Sequence, residues 1–170
     1  MKTTLNQIRA QSPCADGWVK LLKYLNKTTA DDEPLSLTTI LESNGLGDTL
    51  WCLRAVEGFD KEKRLLAVAF AREVQHLMTD PRSIEALDVA ERFANGEATL
   101  EELGTAYAAA YNASSAFYAA STFYAASSAF YAAFYAADAS AYYAASASAD
   151  ASARGDMQQK QVEIFKKFMV

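Results

Sequence analysis

The stretch from residue 105 to residue 153 does most to limit what this chain can fold into. It is built almost wholly from Ala, Ser, Tyr and Phe, with no Gly, Pro or basic residue. Ala is the strongest helix former and both common breakers are missing, so this composition predicts helix. Disorder is the poorer expectation, because it needs low hydrophobicity and high charge, and residues 105–137 carry no charged side chain at all.

With successive residues about 100° apart on a helical wheel, Tyr124, Tyr131, Tyr135 and Tyr142 form one stripe. Phe123, Phe130 and Phe134 form a second stripe beside it, and Tyr107, Tyr111 and Tyr118 an earlier one. The step from Tyr118 to Tyr124 is one residue short of keeping register, which predicts a kink or break between Ala119 and Thr122, where Ser and Thr can bond back to the preceding turn. A straight helix over 100–153 would be on the order of 80 Å long. So much aromatic surface needs burial, either by folding back or by pairing with another copy. A membrane span is disfavoured by Ser and Tyr every few positions. An ice-binding face would want regularly spaced Thr, and the run has only Thr105 and Thr122. An aromatic groove for a peptide or small ligand is a third use of the stripes.

The rest of the chain also reads as helical. Thr4–Arg9 suits a short helix, and Asp16 is placed to cap a second one carrying Trp18, Leu21, Leu22 and Leu25. After the polar loop KTTADDEP, Ser36 is placed to cap Leu37–Ser43, which Asn44-Gly45 stops; Asp48 then starts a helix that runs to about Val56. Asp60 is a cap candidate for a helix with Leu66, Phe70, Val74 and Leu77 on one face. Asp80-Pro81 opens the next, with Ile84, Leu87, Ala90 and Phe93 or Ala94 inward, and Asn95-Gly96 closes it. Thr99 and Glu102 have the spacing of a capping box. Asp156, after an expected break at Arg154-Gly155, begins a last helix with Val162, Phe165 and Met169 together. The fold class expected is therefore all-α, a multi-helix bundle of short amphipathic helices. Its parts would be a helical front module at 1–99, the Ala/Tyr-rich segment at 100–153 and a C-terminal helix at 156–169.

Chemistry is sparse. With His76 the only histidine, a two-His metal site or a Ser-His system with a spare base is excluded within one chain. Cys14 and Cys52 are too few for a disulfide scaffold or a zinc site, which needs about four ligands; Cys52 in the apolar LWCLRAV is expected buried and Cys14 exposed. The NGLGD segment lacks the phosphate-loop Lys and reads as a turn, and Arg154-Gly155-Asp156 as a helix break. No catalytic, cofactor-binding or metal-ligating residue is assigned. The net charge of −5 and dispersed basic residues argue against nucleic acid, and an acidic chain of this kind is expected to meet a protein, a basic one by preference. The opening MKTTLNQIRAQSPC lacks an apolar signal core, which fits a cytoplasmic protein.

The segments LNQIRAQSPCADGWVKLL, ADDEPLSLTTILESNGLGDTLWCLRAV and REVQHLMTDPRSIEALDVAERFANG resemble a family of small phage-borne and bacterial immunity proteins, in which such a front half precedes a variable Ala-rich helical tail. The resemblance covers roughly residues 1–104. In the tail it extends only to general character, since this chain carries Tyr, Phe and Ser where those tails carry Trp and Arg. It implies an intracellular, non-enzymatic inhibitor that occludes a partner protein such as a toxin or host defence component. The surface expected to do so combines Asp31, Asp32 and Glu33, the densest acidic cluster, with Tyr124, Tyr131, Tyr135 and Tyr142 of the tail. The alternatives are a structural protein whose tail mediates homo-oligomerisation and a small-molecule-binding helical module.

Overall fold

A computed structural model describes residues 1–78, 80–112 and 153–169. The stripe residues Tyr124, Tyr131, Tyr135 and Tyr142, and the break expected between Ala119 and Thr122, lie outside the described residues. Among those described, eight α-helices and two 3₁₀ turns carry the fold, with a single two-stranded ribbon. The fold is all-α, as the periodicity indicates. By packing, the chain divides into two compact units, Met1–Phe59 together with Met169, and Asp60–Phe168. This division falls well before residue 99: the expected front module contributes to both units, and the start of the Ala-rich segment packs with the helices before it.

The first unit begins with strand β1 (Lys2–Thr3), which pairs antiparallel with β2 (Leu35–Ser36) in the register Lys2 to Ser36 and Thr3 to Leu35. Two-residue strands leave no period-two signature, so sequence patterning does not reveal them. The buried Thr3 hydroxyl donates to the carbonyl of Ala55 at 2.7 Å, tying the ribbon to the far end of the unit. Helix α1 (Leu5–Ala10) is capped by Thr4, whose Oγ1 accepts from the Gln7 amide. Helix α2 (Ala15–Tyr24) starts one residue before Asp16, so Cys14 holds the N-cap position, and Asp16 falls in the first turn, where the unpaired amides still favour a carboxylate.

Helix α3 (Leu37–Asn44) is capped by Ser36, whose Oγ accepts from the Thr39 amide. Gly45, at φ +88°, both ends α3 and begins α4 (Leu46–Cys52). Helix α4 therefore starts two residues before the expected Asp48, and a 3₁₀ turn at Leu53–Ala55 replaces its last turn. Helix α3 packs on α2 and α4, and α1 packs on the 3₁₀ turn. Leu5, Ile8, Leu37, Ile40 and Leu53 are fully buried at the centre of these contacts.

In the second unit, α5 (Asp60–Arg72) takes Asp60 into its first turn and buries Leu66 and Phe70. The helix stops at Arg72, earlier than the apolar face implies, and Val74 enters the core from the segment before a 3₁₀ turn at Gln75–Leu77. The Arg72 guanidinium bonds Asp88 and Glu91 at 2.7 Å each and Gln75 at 2.8 Å, clamping the end of α5 to the next helix. That helix, α6 (Pro81–Asn95), ends at Gly96 in the left-handed conformation, as its sequence indicates. Leu87, Ala90 and Ala94 of its expected stripe are buried, while Ile84 and Phe93 pack at the margins.

Helix α7 (Leu100–Asn112) carries both halves of the capping box: the Glu102 amide donates to Thr99 Oγ1 at 3.1 Å and the Thr99 amide to Glu102 Oε2 at 2.6 Å. Leu103 of α7 closes a cluster with Val68, Val89 and Ala90. Helix α8 (Ala153–Phe168) runs straight through Arg154-Gly155, so no break occurs there and Asp156 lies in the first turn instead of at the cap. Of the expected face Phe165 is buried, but its buried companions are Met157 and Gln161, while Val162 and Met169 are only half-buried. Helix α8 packs on α5, and Met157 joins Ala71, Val74, Met78 and Leu87 in one cluster.

The α6 cap makes a pH-dependent contribution. Asp80 Oδ1 accepts from the Arg82 amide at 2.9 Å and Oδ2 from the Arg82 guanidinium at 2.7 Å, and these bonds lower its carboxyl to about 2. A depressed folded-state value means the stabilisation is complete above the ordinary carboxylate range and is lost as pH falls from about 4 to about 2. Asp80→Asn should therefore be less stable than the native chain at pH 5, and the difference in urea midpoint should shrink across that window. A gap that stays constant down to pH 2 would show that the ionised cap is not its source.

Candidate functional site

The acidic loop chosen from the sequence is heavily partnered. Lys27 Nζ lies 2.5 Å from Asp31 Oδ2 and 2.6 Å from Glu33 Oε2. Those bonds raise the Lys27 ammonium above its ordinary value and hold Asp31 below the usual carboxylate range. Asn6 Nδ2 donates to Asp32 Oδ1 at 2.9 Å, and the Asn6 amide donates to the Asp31 carbonyl at 3.0 Å. Asp31 and Glu33 line a cavity of about 360 Å³, but Lys2 and Lys27 line it too, so its charges compensate one another. Of the expected partner-binding residues, only these three acids are among those described. His76 is exposed on its 3₁₀ turn. Among the described residues no group of three or more His, Cys, Asp or Glu could hold a metal ion.

A second cavity, of about 140 Å³, lies within the first unit where α2, α3 and α4 meet. Trp18 and Trp51 supply its aromatic wall, Ile8, Leu21 and Ile40 its aliphatic floor, and Cys14, Cys52, Asn44 and Asp48 its polar atoms. The volume is well under the roughly 300–1,000 Å³ of drug-sized ligand sites and close to the engineered apolar cavity of about 150 Å³ that takes benzene. It accepts one side chain or a fragment of that size, and excludes a nucleotide.

The polar wall is assembled by the α3–α4 junction. Because Gly45 lets α4 begin as soon as α3 ends, Asn44 and Asp48 come together, and Asn44 Nδ2 donates to Asp48 Oδ2 at 2.8 Å. The same Nδ2 donates to the Gly17 carbonyl at 2.9 Å, while Asn44 Oδ1 accepts from Ser43 Oγ at 2.6 Å. The amide is thus fixed from three sides and presents the carboxylate to α2. Gly17 makes room for it: a Cβ there would stand 2.8 Å from Asp48 Oδ2 and 3.1 Å from Cys14 Sγ. Over the Trp51 ring lies the Arg54 guanidinium, 4.3 Å from the centroid, a cation–π contact that holds the indole.

The two cysteines meet different surroundings. Cys14 is exposed, whereas Cys52 is buried and its thiol is pushed up to about 12, chiefly by burial, with the Asp48 charge adding to it. Both exposures are as the sequence indicates. The site itself is not legible there, because Trp18 and Trp51 fall at core-like helical spacings and Asp48 resembles a helix-start signal. Gly17 is the one local hint: a glycine inside an amphipathic helix, where Ala would be favoured, marks a close approach.

Among the described residues no helix is long and apolar enough to cross a membrane. Comparison with protein-family models, with curated proteins and with solved structures finds no match to this chain.

Proposed function

We propose that this chain is a non-enzymatic intracellular inhibitor of the immunity or counter-defence kind, which occludes a partner protein. The observation that carries the reading is the cavity between Trp18 and Trp51. Protein interfaces concentrate binding energy in a few anchors that enter small desolvated pockets ringed by aromatic residues, and a 140 Å³ socket has the capacity of one such anchor. The resemblance of residues 1–104 to immunity proteins points the same way. A small-molecule-binding module is the second reading, and the same cavity favours it.

The test is capture from the native host with the immobilised chain, run beside Trp51→Ala. A captured protein is then purified and titrated. We expect a one-to-one complex that abolishes the partner's activity and weakens at least tenfold, about 1.4 kcal/mol, in the Trp51 variant. A partner that stays fully active when saturated sinks the occlusion reading, and equal binding by the Trp51 variant removes the cavity from it.

A further inference from the structure

We propose that the cavity between α2, α3 and α4 selects a cationic alkyl group: a Lys or Arg side chain of the partner protein, its stem against Trp18 and Trp51 and its charged head on Asp48. The inference rests on the protein-binding reading above and names the chemistry of the anchor.

The hydrogen-bond inventory of the wall gives the sign. Asn44 is spent: its Nδ2 donates to the Gly17 carbonyl and to Asp48, and its Oδ1 accepts from Ser43. The amide has no strong donor left for a ligand. Asp48, by contrast, offers about four lone-pair sites as a carboxylate, and the Asn44 bond uses one of them. The wall therefore presents an acceptor with negative charge, and the group that satisfies it is a donor with positive charge. An anion would be repelled by the carboxylate, and a wholly apolar occupant would strip water from it for nothing in return.

The remaining surroundings suit a long alkyl cation in particular. Lys and Arg combine an apolar stem with a charged head, which matches a wall that is aromatic and aliphatic except at the Asn44–Asp48 edge. Indoles are also the best ring partners for a cation. Arg54, already over the Trp51 ring, is the charge that opposes an incoming cation, and it is not part of the cavity lining. At Cys52, inside that lining, the Asp48 charge acts more strongly than the Arg54 charge, so the local field is negative. The net charge of −5 draws a basic partner toward the chain in the same sense.

The experiment titrates the full chain with n-butylammonium and, separately, with 1-butanol as its neutral counterpart. Binding is read from the fluorescence of Trp18 and Trp51 and from the rate at which an aromatic disulfide reagent labels Cys14, which lines the cavity. We expect the ammonium to bind in the millimolar range, at least fivefold tighter than the alcohol, and to slow Cys14 labelling at saturation. Asp48→Asn, which keeps the shape and removes the charge, should erase the preference. Gly17→Ala, which adds the Cβ that displaces the carboxylate while favouring the helix, should reduce it with the far-ultraviolet circular dichroism unchanged. Equal affinity for ammonium and alcohol, or an ammonium preference that survives in Asp48→Asn, overturns the inference and leaves the occlusion reading standing. A captured partner that stays fully active when saturated overturns that reading whatever butylammonium does, and one bound equally well by Trp51→Ala removes the cavity from it and overturns the inference.

Discussion

Phe165→Ala should destabilise the second unit by about 3–5 kcal/mol, the range for removing a buried aromatic ring from a core. Phe165 is 0% exposed and sits with Met157 and Gln161 on the row of α8 that is buried. Deletion leaves a void that rigid neighbours fill only in part, so a cavity term adds to the lost transfer energy. Set against the roughly 5–15 kcal/mol that holds a typical native state, the loss is a large fraction. Both tryptophans belong to the first unit, so their fluorescence does not report this change directly. Far-ultraviolet circular dichroism in urea should show it as a much lower midpoint for the helical signal. A loss under 1 kcal/mol would mean that α8 contributes little to the packing of α5.

The two thiols should differ by orders of magnitude in reactivity. Thiolate is the nucleophile, and a thiol at about 12 is ionised at pH 7.5 only to a fraction of ~10⁻⁴–10⁻⁵. Burial compounds this, because the reagent must also reach a sulfur whose residue is 4% exposed. The folded chain should therefore consume one equivalent of an aromatic disulfide reagent quickly. The second should follow at least roughly a thousandfold more slowly, at a rate set by opening of the first unit. In denaturant both should react at once. Cys14→Ser should remove the fast phase entirely; a fast equivalent that persists in this variant would place Cys52 within reach of solvent.

Helix ends were more legible in the sequence than helix faces, and both were more legible than the site. Ser36, Asp80-Pro81, Gly96 and the Thr99–Glu102 pair act through bonds to backbone a few residues away, so the chemistry that makes them caps is contained in the local sequence. The start of α4 was not readable, because Gly45 serves two helices at once and leaves no room for a separate cap. On α8 the polar Gln161 occupies a core position that a hydrophobicity pattern assigns to solvent. The cavity demands more still. Gly17, Asn44 and Asp48 acquire their relation only when α2 docks on the α3–α4 junction, and Trp18 and Trp51 each carry the spacing of an ordinary core residue. Asp31 and Glu33 err in the opposite sense: their density suggests a free acidic patch, yet Lys27 binds both.

Helix α8 completes a cluster whose other members, Ala71, Val74, Met78 and Leu87, are synthesised long before Met157. At the ribosome's pace of about 5–20 residues per second, the interval is on the order of ten seconds. For that time the α5 and α6 side chains wait beside the exit tunnel without the methionine that covers them. Newly made chains would thus be most prone to self-association, and most in need of a chaperone, late in translation, after the cavity-bearing unit has already emerged.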